Sequence, residues 1–356
     1  LFFVGAMMAA HVLVPLCYGC LDESRSTVVS QTYEEHRDLF DCTLCVAVAA
    51  VLNVAANIIN REVIAPHVPE HLSGIPLLCW SILIAIAMVG LIFRKLDRLL
   101  AKATTYLFLT SALYVSIYPM DTFWLAGEQC IPGGPNISPT FKTAVAGTMS
   151  AVFGILSTGL FQGLMSNWKF RPCFWLTTLV RCIVGLWDVV VVMRWNVGYI
   201  PDEVMFLVGG SIIETVVLQL DHMPGVVLTS KLCDRTAAAS TFAILAACQN
   251  FGSSLATNLG STLIPLFNVQ LKDDGPCNIT YLWAVHVLGQ FALPLVTVIF
   301  TFILIPDARM SDGEECFRDS NRVHTAEPVE LNPNGVSCKQ ATAESVDATE
   351  AAASEV

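Results

Sequence analysis

Residues 173–193 read CFWLTTLVRCIVGLWDVVVVM and residues 204–226 read VMFLVGGSIIETVVLQLDHMPGV. Each run meets the ~20 apolar helical residues needed to cross the hydrocarbon core of a bilayer. Each also carries ionisable groups in its interior: Arg181 and Asp188 in the first, Glu214 and Asp221 in the second. Working outward, seven further runs bounded by charge, Pro or Asn occupy approximately 1–20, 42–60, 75–93, 103–120, 142–164, 237–267 and 282–305. Lipid supplies no water to backbone groups, so runs of this length are expected as helices. The expected fold class is an all-α polytopic membrane protein with about nine transmembrane helices.

Composition points the same way. The 356 residues are 54% hydrophobic and 14% charged, well below the roughly 25% charged residues of a soluble domain. Residues 306–356 hold eleven Asp/Glu against four Lys/Arg, so −7 of the net −11 lies there. That segment, poor in large apolar residues, is expected to be a disordered acidic tail. No basic stripe exists, which excludes a nucleic-acid binder. Most of the 13 Cys lie within apolar runs, where a thiol packs as a small hydrophobe. Cys17-x-x-Cys20 with Cys42-x-x-Cys45 has a metal-like spacing, but it is embedded in or against those runs, and no metal or cofactor is expected.

Orientation follows from basic residues in the connecting loops. Loops 21–41, 94–102, 165–172 and 223–236 contain ten Lys/Arg, against three in loops 61–74, 121–141, 194–203 and 268–281. The first set is expected to be cytoplasmic, together with the C-terminus, in a multi-pass protein of the plasma membrane. The glycosylation sequons at Asn136 and Asn278 fall in the second, external set, where Cys130 and Cys277 are candidates for a disulfide. This orientation puts the N-terminus outside without a basic signal-like start, so the chain reads as the C-terminal part of a longer protein.

With short loops, function should lie between helices, where intramembrane polar residues are costly and informative. Glu214 stands near the middle of its run, with Ser211, Thr215 and Gln219 within the same helical arc. Tyr106, Thr110, Tyr114 and Tyr118 repeat every four residues in the fourth run and end beside Asp121. These stripes make Glu214, Gln219, Thr110 and Tyr114 candidates for substrate contact. Arg181, Asp188, Asp121, Asp221 and Asn250 are candidates for structural or gating roles. A structural alternative pairs Arg181 with Asp188 or Glu214 only to hold two helices in register. In the eighth run, Ala239, Ala243 and Ala247 with Gly252, Ser253 and Ser254 suit close helix packing. Met223-Pro224-Gly225 reads as a helix break.

A set of motifs then singles out a family. DTFW (121–124), GGPNISPTF (133–141), WKFR (168–171), RWNVGYIPDEVMF (194–206), MPGVVLTSKLC (223–233) and FAILAACQNFG (242–252) occur in order on loops and helix ends. Together the chain resembles the folate-biopterin transporter family, a branch of the major facilitator superfamily, over about 100–305 by motif and over 1–95 by hydropathy. Arg194, Trp195, Asn196, Met223, Pro224 and Gly225 stand at family signature positions. Asp234, Thr236, Ala238 and Gln249 depart from the family's usual residues.

The resemblance implies a 12-helix transporter of two bundles. On that template 1–93 is the incomplete end of the N-terminal bundle, 94–102 a basic cytoplasmic linker and 103–305 the whole second bundle. The first and fourth helices of each bundle line the cavity, which here are the runs holding Thr110 with Tyr114 and Glu214 with Gln219; Arg181 falls on a supporting helix. The implied function is transport of a pterin or folate across a lipid bilayer by alternating access, with protons as a candidate second partner. No enzyme chemistry is implied, since no convincing set of His, Asp or Cys converges at one depth. The alternatives are a carrier of the same fold for another solute and a non-transporting scaffold or receptor.

Overall fold

The computed structural model describes residues 33–34, 36–233, 238–271 and 276–312. The first apolar run, with Cys17 and Cys20, lies outside the described residues, as do Asp234 and Thr236. Two compact units divide the chain, Leu1–Arg37 and Asp38–Val356. Of the first, only 33–34, 36 and 37 are described, with Tyr33, Glu34 and Arg37 helical.

The described residues are predominantly helical, with isolated bridges in place of strands. Among the described residues, six helices are long and apolar enough to cross a membrane: α1 (Arg37–His67), α2 (Ile75–Lys95), α5 (Phe141–Leu164), α6 (Phe170–Val192), α7 (Asp202–Leu232) and α9 (Leu282–Leu304). Between them lie α3 (Arg98–Ala112), α4 (Pro119–Leu125) and the 29-residue α8 (Ala238–Leu266). Many large aliphatics are exposed while a set of hydroxyls is buried. Ile155 is 77% exposed and Ile86 69%, whereas Thr301 and Ser81 are fully buried. Several interior hydroxyls bond to backbone carbonyls: Thr301 to Thr297, Thr229 to Gly225, Thr105 to Ala101. Asn53, Ser81, Asn258 and Ser254 form one chain of hydrogen bonds, each 2.8 Å, that joins α1, α2 and α8.

Three local expectations are corrected. The fourth run is not one helix: α3 stops at Ala112, Leu113–Tyr118 is non-helical, and α4 begins at Pro119. Proline disfavours helix in the residue before it, and the unwound backbone is caught from outside. Val115 N donates to Gly289 O at 3.1 Å. A Cβ on Gly289 would lie 2.7 Å from that of Val115, and one on Gly260 would strike the Ser116 carbonyl. The two glycines therefore form a seat for the broken strand of chain. Second, Met223-Pro224-Gly225 does not end its helix, since α7 runs through to Leu232 with Pro224 and Gly225 buried inside it. One missing N–H is tolerated because the turn packs against α3, where a Gly225 Cβ would already stand 3.1 Å from Leu107 Cδ2. Third, residues 306–312, expected as the start of a disordered tail, are pinned to the 165–172 loop. Phe170 N bonds to Ala308 O and Met310 N to Trp168 O, both at 3.0 Å, and Arg171 Nε donates to Ile305 O. Lys231 of α7 donates to Asp312 O. Residues 313–356 lie outside the described residues.

Cys130 and Cys277 form a disulfide, and Cys277 N donates to Cys130 O at 2.9 Å. The helix α8 meets α3 so closely that a Cβ on Gly252 would lie 2.6 Å from Phe108 O. Gly252→Leu should therefore destabilise the fold by about 1–3 kcal/mol through overpacking against backbone. Gly159→Ala, where nothing lies within 4 Å of the new methyl, should be neutral or stabilising by up to ~1 kcal/mol. Thermal unfolding of the two variants in detergent checks the contrast.

Candidate functional site

A cavity of about 880 Å³ opens between α3, the unwound 113–118 segment and helices α4 to α9. The break in the fourth run is what exposes Tyr114, Val115 and Ser116 on its wall. Non-helical backbone at membrane depth is tolerated where it lines such a cavity, and discontinuous helices of this kind commonly build transporter sites.

The dominant electrostatic feature is a buried ion pair between helices. Arg181 Nη1 on α6 lies 2.6 Å from Asp221 Oδ2 on α7, with side chains 17% and 12% exposed. Thr177, one turn from Arg181, donates to the other Asp221 oxygen at 2.9 Å. The Arg181 guanidinium also lies 3.5 Å over the Tyr114 ring, an arrangement in which the ring's quadrupole supports the charge. Arg181 thus takes Asp221 as its partner, where the structural alternative named Asp188 or Glu214, and it faces the cavity from α6. Removing one member of a buried pair leaves the other uncompensated, at a cost of about 3–5 kcal/mol.

Glu214 follows directly on a π-helical stretch, Phe206–Ile213, that lies within α7. Wide turns of this type shift side-chain register and recur at functional sites. Its carboxylate lines the cavity and feels the charge of Arg181, with no Lys or Arg within ion-pair distance among the described residues. Gln219 lines the wall one turn on and donates to Thr158 of α5 at 3.3 Å. Thr110 also faces the cavity, with its hydroxyl bonded back to Leu107 O. Tyr106 and Tyr118, at the ends of the same stripe, do not line it: Tyr106 is fully buried against Thr301, and Tyr118 is 57% exposed. Asp188 lines the wall, 3.8 Å from the buried His286, whose Nδ1 stands 3.1 Å from Gln290 Oε1. Asp121 lies at the wall on α4, bonded at 2.5 Å to Lys142 of α5.

Asn250 is placed otherwise. Its side chain is exposed on α8, and Gln249 and Ser253 turn to the cavity instead. The signature residues Arg194, Trp195 and Asn196 also stand apart. Arg194, at a left-handed φ of 59°, makes two 2.9 Å bonds to Asp202 and one to Gly133 O. Asn196 donates to Asp202 at 2.6 Å, and Trp195 is 62% exposed. These residues clasp the 133 loop to the start of α7. Of Met223-Pro224-Gly225, Gly225 reaches the cavity wall. Asn136 is exposed, while the Asn278 amide donates to Asn268 O.

Sequence reasoning missed the aromatic walls formed by Trp124, Phe174 and Phe206, and the roles of Lys142, Gln249 and Gln290 in the lining. Lys142 carried a signal, as a lone cation at the start of an apolar run; the aromatics carried none that separates a cavity wall from a core. Among the described residues no cluster of His, Cys, Asp or Glu is arranged to hold a metal.

The chain is similar to a "Probable folate-biopterin transporter 6" of Arabidopsis thaliana, 28% identical over 58% of this chain and 39% of the relative. It is 30% identical to a "Folate-biopterin transporter" of Synechocystis over 32% of this chain and 23% of that protein. It is 24% identical to "Folate transporter 2" of Plasmodium falciparum over 50% and 39%. It spans about two fifths of the length of the first of these relatives, and no solved structure is significantly similar to it. The BT1 family profile matches residues 4–323, well beyond the region in which motifs were legible. The match covers most of a chain whose helices are apolar enough to span a bilayer several times, and the protein is a multi-pass membrane protein belonging to the BT1 family.

Proposed function

We propose that this protein carries a pteridine or folate across a lipid bilayer by alternating access around the cavity between α3 and α9. The observation that carries the reading is a cavity whose wall combines the Glu214 carboxylate, outside ion-pair distance of any described Lys or Arg, with the Arg181–Tyr114 stack. A volume of about 880 Å³ suits a small organic solute. A pterin presents a ring N–H beside an amino group, a donor pair that one carboxylate accepts in bidentate fashion. Glu214 is the group we assign to that edge, with Gln219, Thr110 and Tyr114 around the ring. The printed names of the relatives, folate and biopterin transporters, support the substrate class.

On this reading the helices form major-facilitator-type bundles. The protein sits in the plasma membrane with its C-terminus in the cytoplasm, the orientation that the basic loops favour, and Asn136 and Asn278 are external glycosylation sites. Glu214 is also the carboxylate best suited to carry a co-transported proton. The reaction involves no covalent chemistry.

Uptake of labelled biopterin and folate by cells lacking pteridine transport tests the proposal. Saturable uptake, competed by unlabelled pteridines, is expected; its absence with protein at the cell surface would reject a carrier. Glu214→Gln should lower uptake about a hundredfold, as loss of a ~3 kcal/mol charged hydrogen bond requires, with surface level unchanged. Arg181→Lys keeps the charge but loses the planar stack on Tyr114 and should also lower uptake, by about tenfold for ~1.4 kcal/mol. Normal uptake by both variants would remove the cavity from the mechanism.

A further inference from the structure

The charges around the cavity are unevenly matched. Its wall holds four carboxylates, Asp121, Asp188, Asp221 and Glu214, and the side chains of Lys142 and Arg181. Both cations are already engaged. Lys142 Nζ lies 2.5 Å from Asp121 Oδ1 and 3.1 Å from the Asp121 carbonyl. Arg181 is held by Asp221 at 2.6 Å. Asp188 and Glu214 have no Lys or Arg within ion-pair distance among the described residues, and the charge that attracts Glu214 from farther off is the same Arg181 that Asp221 already holds. The basic group nearest Asp188 is His286 at 3.8 Å, whose Nδ1 is already within hydrogen-bond distance of Gln290. His222, the remaining basic residue on the wall, is exposed.

This inventory separates two kinds of pteridine. An unconjugated pterin such as biopterin is uncharged and offers hydroxyls and an N–H edge. Folate adds a glutamate with two carboxylates, which need cations or abundant donors once they leave water. No unengaged Lys or Arg on the described wall awaits them. Recruiting Arg181 would strand Asp221, a buried carboxylate that Thr177 alone would then face. Should Asp188 and Glu214 be ionised they repel the incoming charge, and should they be protonated they offer it no compensation. The small polar groups on the same wall, Ser111, Ser116, Ser150 and Gln249, instead match a hydroxylated, neutral side chain. We infer that the cavity selects uncharged, unconjugated pteridines over their glutamate conjugates, an inference that rests on the proposed function and narrows its substrate class.

The test is displacement of labelled biopterin from the full chain in lipid nanodiscs by unlabelled biopterin and by folate. Folate should bind about tenfold or more weakly, as like-charge juxtaposition requires. Raising salt from about 50 to about 500 mM should strengthen folate binding while moving biopterin less than about twofold. Asp188→Asn should narrow the gap between the ligands by about threefold or more; the salt series on the unmodified chain decides the matter if that variant does not fold. Folate binding as tightly as biopterin, or tighter, would overturn the selectivity and leave the carrier reading intact. Binding of neither ligand would overturn both.

Discussion

A backbone N–H or C=O inside hydrocarbon must find its partner within the protein, and the architecture follows from that demand. Most of the chain meets it by remaining helical, even through Pro224, where the helix gives up one bond and continues. The place where helix is abandoned, 113–118, is surrounded by substitutes: a hydrogen bond from Val115 to Gly289, glycines that admit the backbone at 260 and 289, and the polar cavity itself. The site is thus a by-product of how the exception is accommodated. Unwinding brings Tyr114 beneath Arg181, and the cavity forms along the gap.

The ion pair between Arg181 and Asp221 sits at the junction of structure and function. A buried pair contributes little net stability over apolar packing, because desolvation offsets much of its attraction. Its consequence here is to fix the spacing of α6 and α7 and to keep the guanidinium plane on the Tyr114 ring. It also commits Arg181 to Asp221, while Asp188 and Glu214 on the same wall stand outside ion-pair distance of any described Lys or Arg.

The membrane character and most helices were legible in the sequence, because about 20 consecutive apolar residues admit few other structures. The cavity residues Glu214, Gln219, Thr110 and Tyr114 were legible because polar groups in such runs are expensive and stand out. The break after Ala112 was hidden because the stripe of Tyr106, Thr110, Tyr114 and Tyr118 keeps helical spacing across it, while its cause lies on other helices at Gly260 and Gly289. The partner of Arg181 was missed for a similar reason. Asp221, Asp188 and Glu214 all fall at plausible depths, and spacing along the sequence does not select among them.

The exposure of large aliphatics bears on how such a protein diverges. Residues such as Ile155, Ile183 and Ile299, more than half exposed on the outer faces, meet a fluid solvent that asks for hydropathy and not for shape. One aliphatic side chain there can replace another without a neighbour having to adjust. The interior hydroxyls, the glycine seats and the ion pair allow no such exchange. A chain built this way can share barely a quarter of its residues with a relative over the matched region, and the outward-facing stripe of each helix, recurring with a period of about 3.6 residues, is where such differences cost least.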